Sequence, residues 1–533
     1  GSSRAALSRG MSCEVISDAA GALADRAVEA ARTLTRNGEA IDDHQVIVER
    51  VAYAATEARV VAELAKLSPA HAEVARVAAA ELASSIVYRL APVAPLLGLD
   101  SLAYPAVAAQ VIADATAPAV VEAIGAATIA AEGKYTWALD EVLTEVRSNV
   151  RAFAEREVMP HAEHIHRHDE LVPERFIAEM AKLGYFGLSV PEKYGGHELG
   201  NLAMILTTEE LSRASLAAAG SLITRPEILA KALIAGGTEE QKQTWLPKLA
   251  SGEIMAAISV TEPNVGSDVA SVSCRADRVE GGWAITGAKA WCTFAGRADV
   301  IALLARTGTP AEGARGLTLF IVDKPRFDGH ELEASQPGGG TLSGKADRTP
   351  GYRGMHSFTL AFDRWFVPDA QLVGGEAALG RGFNLQMAGF AAGRLQTGGR
   401  ACGVAQAAVE HTARYVGERK QFGRPIGDYG LTRYHVGRMA TRLAAARAIT
   451  YAAAVEMDGD ERRAAPLAAM AKLFACDVAV EVTQLGQLLH GGWGYAEEYP
   501  ISRCVIDAQV LPIFEGVKPI LALKVVGRAL LGR

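Results

Sequence analysis

Glu515 is the one charged residue in the run Leu511-Pro-Ile-Phe-Glu-Gly516. An apolar setting disfavours the ionised carboxylate and would raise its pKa towards the range where a general base works near neutral pH. A glutamate placed at a helix N-terminus by the dipole is the structural alternative. Four more stretches carry groups able to hold a ligand. Ile258-Ser-Val-Thr-Glu-Pro-Asn-Val-Gly-Ser-Asp268 ends a strand-like run in hydroxyls and a Gly266-Ser267 turn. Its N–H groups could meet an aromatic cofactor's edge or a pyrophosphate, although an ordinary β-turn has the same composition. In Gly287-Ala-Lys-Ala-Trp-Cys-Thr293, Trp291 could cover a ring while Thr293 bonds its edge, or Trp291 could fill a core. Glu418-Arg-Lys-Gln-Phe-Gly-Arg-Pro-Ile426 closes a helix. There Arg419 could grip a pyrophosphate bidentately or belong to a solvated charge cluster before a capping glycine. His490-Gly-Gly-Trp-Gly-Tyr-Ala-Glu-Glu-Tyr-Pro500 has paired glycines after a helix, where another backbone can approach closely.

Helices and a block of short strands must position these groups. Residues 17–135 are rich in Ala, Val, Leu, Glu and Arg, which is helix-forming composition, and they contain no catalytic motif. Val60, Val61, Leu64 and Leu67 recur near helical spacing, and Pro92, Pro95 and Pro105 divide the segment. A second helical stretch, 136–250, is broken by turn residues over Gly187–Gly196. From Ala256 the periodicity changes. Ala257–Thr261, Trp283–Thr286, Val300–Leu304, Leu317–Val322 and Phe358–Phe362 are short β-like runs, which predict a compact barrel or sandwich. Helical pattern returns from Gly382, with Ala-rich segments around 396–416, 431–457 and 463–489.

A chain of 533 residues implies two to four domains. Half the residues are apolar and 22% are charged, the balance of a soluble globular protein. A net charge of −7 without a basic cluster argues against nucleic acid as a partner. The six cysteines are scattered and no Cys/His cluster has metal spacing, so no metal and free thiols in a reducing cytoplasm are expected. Ser101–Glu132 is the most apolar region, but Asp114, Pro118 and Glu122 interrupt it, and packed helices are expected in place of a membrane span. Gly1–Gly10 reads as a leader, with Met11 as the native start.

Taken together, in their order and spacing, the five stretches resemble the acyl-CoA dehydrogenase family. Gly351-Tyr-Arg-Gly-Met-His-Ser357, Leu360-Ala-Phe-Asp363 and Val367-Pro368 extend the resemblance over about residues 140–533. It implies an α+β, mainly α fold: a leader (1–10), a helical extension (11–135), an N-terminal helical domain (136–255), a middle β domain (256–375) and a C-terminal four-helix bundle (376–533). It implies FAD as cofactor and an acyl-CoA substrate desaturated between Cα and Cβ, with Glu515 as base. Val260, Thr261, Gly266, Ser267, Trp291, Cys292 and Thr293 would then face the flavin or its phosphates. Arg419, Gln421, Phe422, Leu488, Gly491 and Gly492 would contact FAD across a subunit boundary of a homodimer or homotetramer. Ser267, Arg394 and Gly516 would meet substrate, and the Glu515 N–H with a ribityl hydroxyl would stabilise the enolate. Electron-transfer flavoprotein would take the electrons.

Some relatives place the base immediately before the arginine of a Gly-Arg pair, but here Gly393 precedes Arg394. The sequence also departs from the family at Val517-Lys518-Pro519, Leu488 and Ala391. The extension and the motifs around Ser221–Glu227, Trp291–Ala295, Pro337–Gly340 and Gly491–Arg503 resemble the branch that converts methylsuccinyl-CoA to mesaconyl-CoA in the ethylmalonyl-CoA route. An acyl chain bearing a carboxylate needs a cation, and Arg225, within the apolar stretch Ala217–Ala235, is the candidate. Pairing of Arg225 with Glu227, or snorkelling to solvent, is the structural alternative. A straight-chain acyl-CoA, an oxidase, and a flavin-free scaffold protein are the other readings.

Overall fold

The computed structural model describes residues 9–532, with side chains from Ser12 onward. The expected leader falls mostly on residues 1–8, outside the described residues; its last two residues open the first helix. The chain divides into two compact units, Gly1–Thr144 with Thr397–Arg533, and Glu145–Gln396.

In the first unit, α1 (Arg9–Leu34), α2 (Gln45–Ala65), α3 (Ala72–Leu90), α4 (Ala106–Ala115) and α5 (Pro118–Ala130) form the extension. Pro95, which opens a single 3-10 turn, and Pro105 lie between α3 and α4 and separate the two helices. The apolar stretch 101–132 is a bent pair, α4 and α5, at 44°. Among the described residues no single helix is long and apolar enough to cross a membrane.

Helix α6 (Glu141–Phe153), α7 (Met159–Arg167), α8 (Glu174–Lys182), α9 (Asn201–Ala214), α10 (Thr224–Gly236) and α11 (Glu239–Ser251) follow. The long α12 (Gly382–Glu418), α13 (Gly430–Gly459), α14 (Glu461–Leu489) and α15 (Ile501–Ala508) complete the helices that matter here. Asp460 caps α14 by accepting N–H bonds from Arg462 and Arg463 at 3.0 and 3.2 Å. Helix α5 crosses α13 closely enough that a Cβ on Gly125 would come within 1.7 Å of the Arg433 carbonyl oxygen. The extension is also tied down by charge, through Arg59–Glu456 at 3.1 Å and Arg438–Glu81 at 3.3 Å.

The second unit holds one eight-stranded sheet: β1 (Ala256–Ser259), β2 (Arg275–Val279), β3 (Gly282–Thr293), β4 (Val300–Arg306), β5 (Leu317–Asp323), β6 (Glu331–Ser335), β7 (Thr341–Ala346) and β8 (Ser357–Pro368). Its order is β1-β4-β2-β3-β8-β7-β6, with β5 on β4. The predicted runs are β1, β3, β4, β5 and β8. The sheet adds β2, β6 and β7, each with at most two buried residues and with few β-branched ones, so the strand signal is weak. β4 and β5 are buried almost throughout, and Ile285, Phe320, Leu342, Phe358 and Leu360 belong to the sheet's core.

The pairing of β3 with β8 contains a bulge that matters for the site. Lys289 faces Leu360 and Cys292 faces Phe358, so β3 carries one extra residue there. The extra residue breaks the alternation. Lys289 and Cys292 both turn inward, while Trp291, at φ +56°, turns out and is 59% exposed.

Candidate active site

In the helical unit, Glu515 and Gly516 take consecutive left-handed conformations, φ +55° and +101°. A non-glycine residue held there marks a site where the surroundings over-determine the backbone. Two contacts hold this turn. Lys518 N–H donates to the Pro512 carbonyl at 2.9 Å, and the buried Lys472 ammonium donates to the Gly516 carbonyl at 2.5 Å.

The turn aims the Glu515 carboxylate at α12. Arg400 Nη2 donates to Glu515 Oε1 at 2.9 Å, and the Thr397 hydroxyl donates to Oε2 at 2.6 Å. The same Arg400 nitrogen donates to the Thr397 hydroxyl at 2.8 Å, and its guanidinium lies 4.5 Å from the centre of the Phe514 ring. Arg400 is fully buried and Glu515 nearly so. Of the apolar neighbours expected from sequence, Leu511 is buried but Ile513 is 60% exposed, and the carboxylate itself is in an ion pair. Thr397 and Arg400 were missed by the motif reading. Their i,i+3 spacing on one helix face, with a charge amid Ala and Gly, was the available signal.

In the sheet unit, the strand end bearing Trp291 rests on another buried cation. Lys289 is fully buried and donates to the Val260 carbonyl at 2.8 Å and to Glu262 Oε1 at 3.2 Å. Burial pushes the Lys289 ammonium below its ordinary range. The Glu262 carboxylate also accepts N–H bonds from Ser273 and Cys274. These contacts clamp Val260-Thr261-Glu262 against β3, where Ala290 N–H donates to the Thr261 carbonyl at 2.8 Å. Thr293 Oγ1 lies 2.8 Å from Ser357 Oγ. Cys292 is buried and its thiol is pushed up to about 11 by desolvation, so it is a packing residue with an inert thiol. Gly266 and Ser267 are exposed, and nothing lies within 4 Å of a Cβ built on Gly266.

Arg225 lies in the first turn of α10, 6% exposed. Its Nη1 donates to the Tyr352 hydroxyl at 2.8 Å. Among the described residues no carboxylate pairs with it, for Glu227 accepts from the Ser189 hydroxyl and faces Lys231. Neither pairing with Glu227 nor snorkelling to solvent describes it. The Arg225 charge acts on the Cys292 thiol, between Trp291 and Thr293.

The remaining predicted residues lie on two adjoining segments of the helical unit. Arg419 follows α12; Gln421 and Phe422 belong to a two-residue hairpin, with Phe422 95% exposed at φ +53°. Leu488 lies in the last turn of α14, exposed, and Gly491 and Gly492 follow with open space around them. The stack of Tyr415 on His490, 4.4 Å between rings, joins the two segments. Arg394 is half-buried on α12, one turn before Thr397.

Models of the acyl-CoA dehydrogenase N-terminal, middle and C-terminal domains match residues 140–253, 257–365 and 380–531. The chain belongs to the acyl-CoA dehydrogenase family. It is an FAD-dependent oxidoreductase with the family's fold. Among its relatives, (2S)-methylsuccinyl-CoA dehydrogenase of Cereibacter sphaeroides is 41% identical over 408 residues, covering 76% of this chain and 72% of that protein. Butyryl-CoA dehydrogenase of Megasphaera elsdenii superposes with a TM-score of 0.68 at 29% identity, over 74% of this chain and all of that one. A chain from a structure of the electron-transferring flavoprotein of Acidaminococcus fermentans has the same TM-score at 30% identity, with the same coverage. The sheet unit's side chains fit the cofactor: an outward indole face, strand-end hydroxyls and an open Gly-Ser turn suit an aromatic ring and its phosphates.

Proposed function

We propose that this enzyme desaturates (2S)-methylsuccinyl-CoA to mesaconyl-CoA. The observation that carries the substrate is Arg225, a buried guanidinium with a phenol for its partner and no carboxylate. A buried charge is costly unless paired, and a substrate carboxylate would complete the pair. The 41% identical relative bears the name of the same activity.

In this reading Glu515 takes the proton from Cα as a hydride leaves Cβ and the double bond forms. Arg400 and Thr397 hold its carboxylate ionised and aimed, so no reorganisation is needed when the proton moves. The Glu515 N–H, presented by the left-handed turn that Lys472 braces, donates to the thioester oxygen as it gains charge. FAD, when bound, supplies the hydride acceptor. Trp291, Thr293, Val260 and Thr261 would line its ring, Gly266 and Ser267 its phosphates, and Arg394 and Gly516 the substrate, whereas Cys292, expected at the flavin, turns into the sheet's core and packs behind the strand end. Arg419, Gln421, Phe422, Leu488, Gly491 and Gly492 would reach the cofactor of a second copy; their exposure supports a homo-oligomer. Electron-transfer flavoprotein is the proposed electron acceptor, and the Acidaminococcus likeness supports it.

Anaerobic bleaching of the flavin by a panel of thioesters tests the substrate. Methylsuccinyl-CoA should reduce the flavin faster than butyryl-CoA or octanoyl-CoA. Arg225→Met should lower kcat/KM for methylsuccinyl-CoA by at least about 10²-fold, the scale of an unpaired buried charge, with FAD content unchanged. Faster bleaching by octanoyl-CoA would reject the substrate while leaving the family untouched. Equal loss on all substrates would make Arg225 structural.

A further inference from the structure

Asp169, His330 and His356 come from three separate segments of the sheet unit. Asp169 lies two residues beyond α7, His330 immediately precedes β6 and His356 immediately precedes β8. Their donor atoms converge within 4.8 Å of one another. His356 Nε2 is 2.9 Å from Asp169 Oδ1 and 3.2 Å from His330 Nε2. An imidazole nitrogen offers one proton or one lone pair, never both. If His330 donates to His356, the His356 lone pair faces the Asp169 carboxylate. If His356 donates to Asp169, its single N–H is used there and the His330 lone pair, 3.2 Å away, has no proton of its own; if both imidazoles are protonated at these atoms, two N–H groups oppose each other. A cation satisfies all three atoms together.

We propose that Asp169, His330 and His356 bind a divalent transition-metal ion of the zinc class, with solvent completing the coordination. Two imidazoles and one carboxylate suit zinc, cobalt or iron(II) better than magnesium or calcium. Ligands at roughly 2.0–2.1 Å in a tetrahedral set are about 3.4 Å apart, slightly wider than the two separations here, so a small relaxation opens the site. His356 is buried and anchors the set, whereas His330 is exposed and Asp169 half-exposed, which gives an ion a way in. Asp169 and His356 both hold left-handed backbone, φ +54° and +55°. Arg353 Nε, 3.5 Å from Asp169 Oδ1, is the carboxylate's other cation; it also donates to the Thr349 carbonyl, and its Nη1 donates to that of His166. It serves as the outer partner that orients a ligating carboxylate. The spacing rules used on the sequence search for neighbouring ligands and pass over three so widely separated.

The ion's role is to brace the flavin-facing strand end. Phe294 N–H donates to the His356 carbonyl at 2.8 Å, and Ser357, the next residue, meets Thr293. The test is titration of chelator-treated full-length holoprotein with Co²⁺, read by its visible d–d absorption and by calorimetry. One Co²⁺ per chain is expected, displaced by Zn²⁺, with a higher melting temperature in its presence. Asp169→Asn and His330→Ala should each weaken binding by at least the roughly 10–100-fold that loss of an outer partner alone causes. The exposed pair His164 and His168, 4.1 Å apart, is the competing surface site. His164→Ala/His168→Ala should bind Co²⁺ as the unmodified protein does. Absence of binding overturns the proposal, as does binding that survives Asp169→Asn and His330→Ala or disappears in the His164/His168 variant.

Discussion

Two regions of this molecule each bury a whole cation against a glutamate, and they use it differently. In the sheet unit, Lys289 and Glu262 pair behind the strand end, and the surface they support carries Trp291 and Thr293. The ion pair is scaffolding. In the helical unit, Arg400 touches the carboxylate assigned the chemistry. In the proposed mechanism that pair belongs to the reaction, because a cation that steadies Glu515 also makes it a weaker base. A buried pair seldom adds net stability over apolar packing, while losing one partner is expensive. Both pairs should therefore be judged by what they position, and substitutions should separate the two roles.

The largest effect is expected at the base. Glu515→Gln should keep FAD and lose at least about three orders of magnitude in turnover, the scale of general-base catalysis. Turnover within tenfold of the unmodified enzyme would remove Glu515 from the mechanism. Arg400→Met comes next. It leaves the carboxylate its Thr397 bond but frees it to swing, and a misplacement of about 1 Å costs about 10²-fold. Loss of a neighbouring cation also favours the protonated acid, so the acid limb of the pH–rate profile should move to higher pH. A lowered rate with an unmoved acid limb would make Arg400 another scaffold residue, like Lys289.

Glu262→Gln addresses that scaffold and should act on stability. It strands the Lys289 charge in the core, at a cost of about 3–5 kcal/mol. The pH dependence has a definite sign. Burial pushes the Glu262 carboxyl up, but the Lys289 charge and the N–H bonds from Cys274 and Ser273 outweigh it, and the group sits below its ordinary 4.5. A depressed native pKa contributes stability that is complete above the unfolded value and is lost as pH falls through the native one. The unmodified protein should thus lose stability below about pH 4.5 faster than the variant does. Denaturant melts at neutral and acid pH read both effects; parallel curves would show that Glu262 is not the titrating group.

The order helix, strand, helix was visible in composition because long Ala-rich runs and short β-branched runs differ in period. The strands that escaped notice, β2, β6 and β7, have few buried residues, so packing and pairing select them more than local pattern does. At the candidate site, motif order pointed to Glu515, Trp291 and Thr293 through the family's likeness. The partners came from structure. Arg400 lies 115 residues from Glu515, and Glu262 lies 27 from Lys289. Each carries an unremarkable side chain until the fold removes water from around it. Arg225 was singled out by its charge in an apolar stretch, but its hydroxyl partner, Tyr352, is 127 residues away and could not be paired with it by spacing.

The smallest effect is expected at Thr397, and it sharpens the contrast between positioning and chemistry. Its hydroxyl accepts from Arg400 and donates to Glu515 Oε2, so it joins the two charges. Thr397→Val preserves shape and removes that link, but the direct Arg400–Glu515 bond at 2.9 Å remains. A hydrogen bond to a charged group contributes about 1.5–3 kcal/mol, and part of this should be recovered when Arg400 turns fully to the carboxylate. The rate should fall by no more than about tenfold, with the acid limb unmoved because the cation is still in place. Thr397→Ser, which keeps the hydroxyl, should restore the rate. If Thr397→Val instead matches Arg400→Met in both rate and acid limb, the hydroxyl is what holds the guanidinium against Glu515, and the three residues work as one unit.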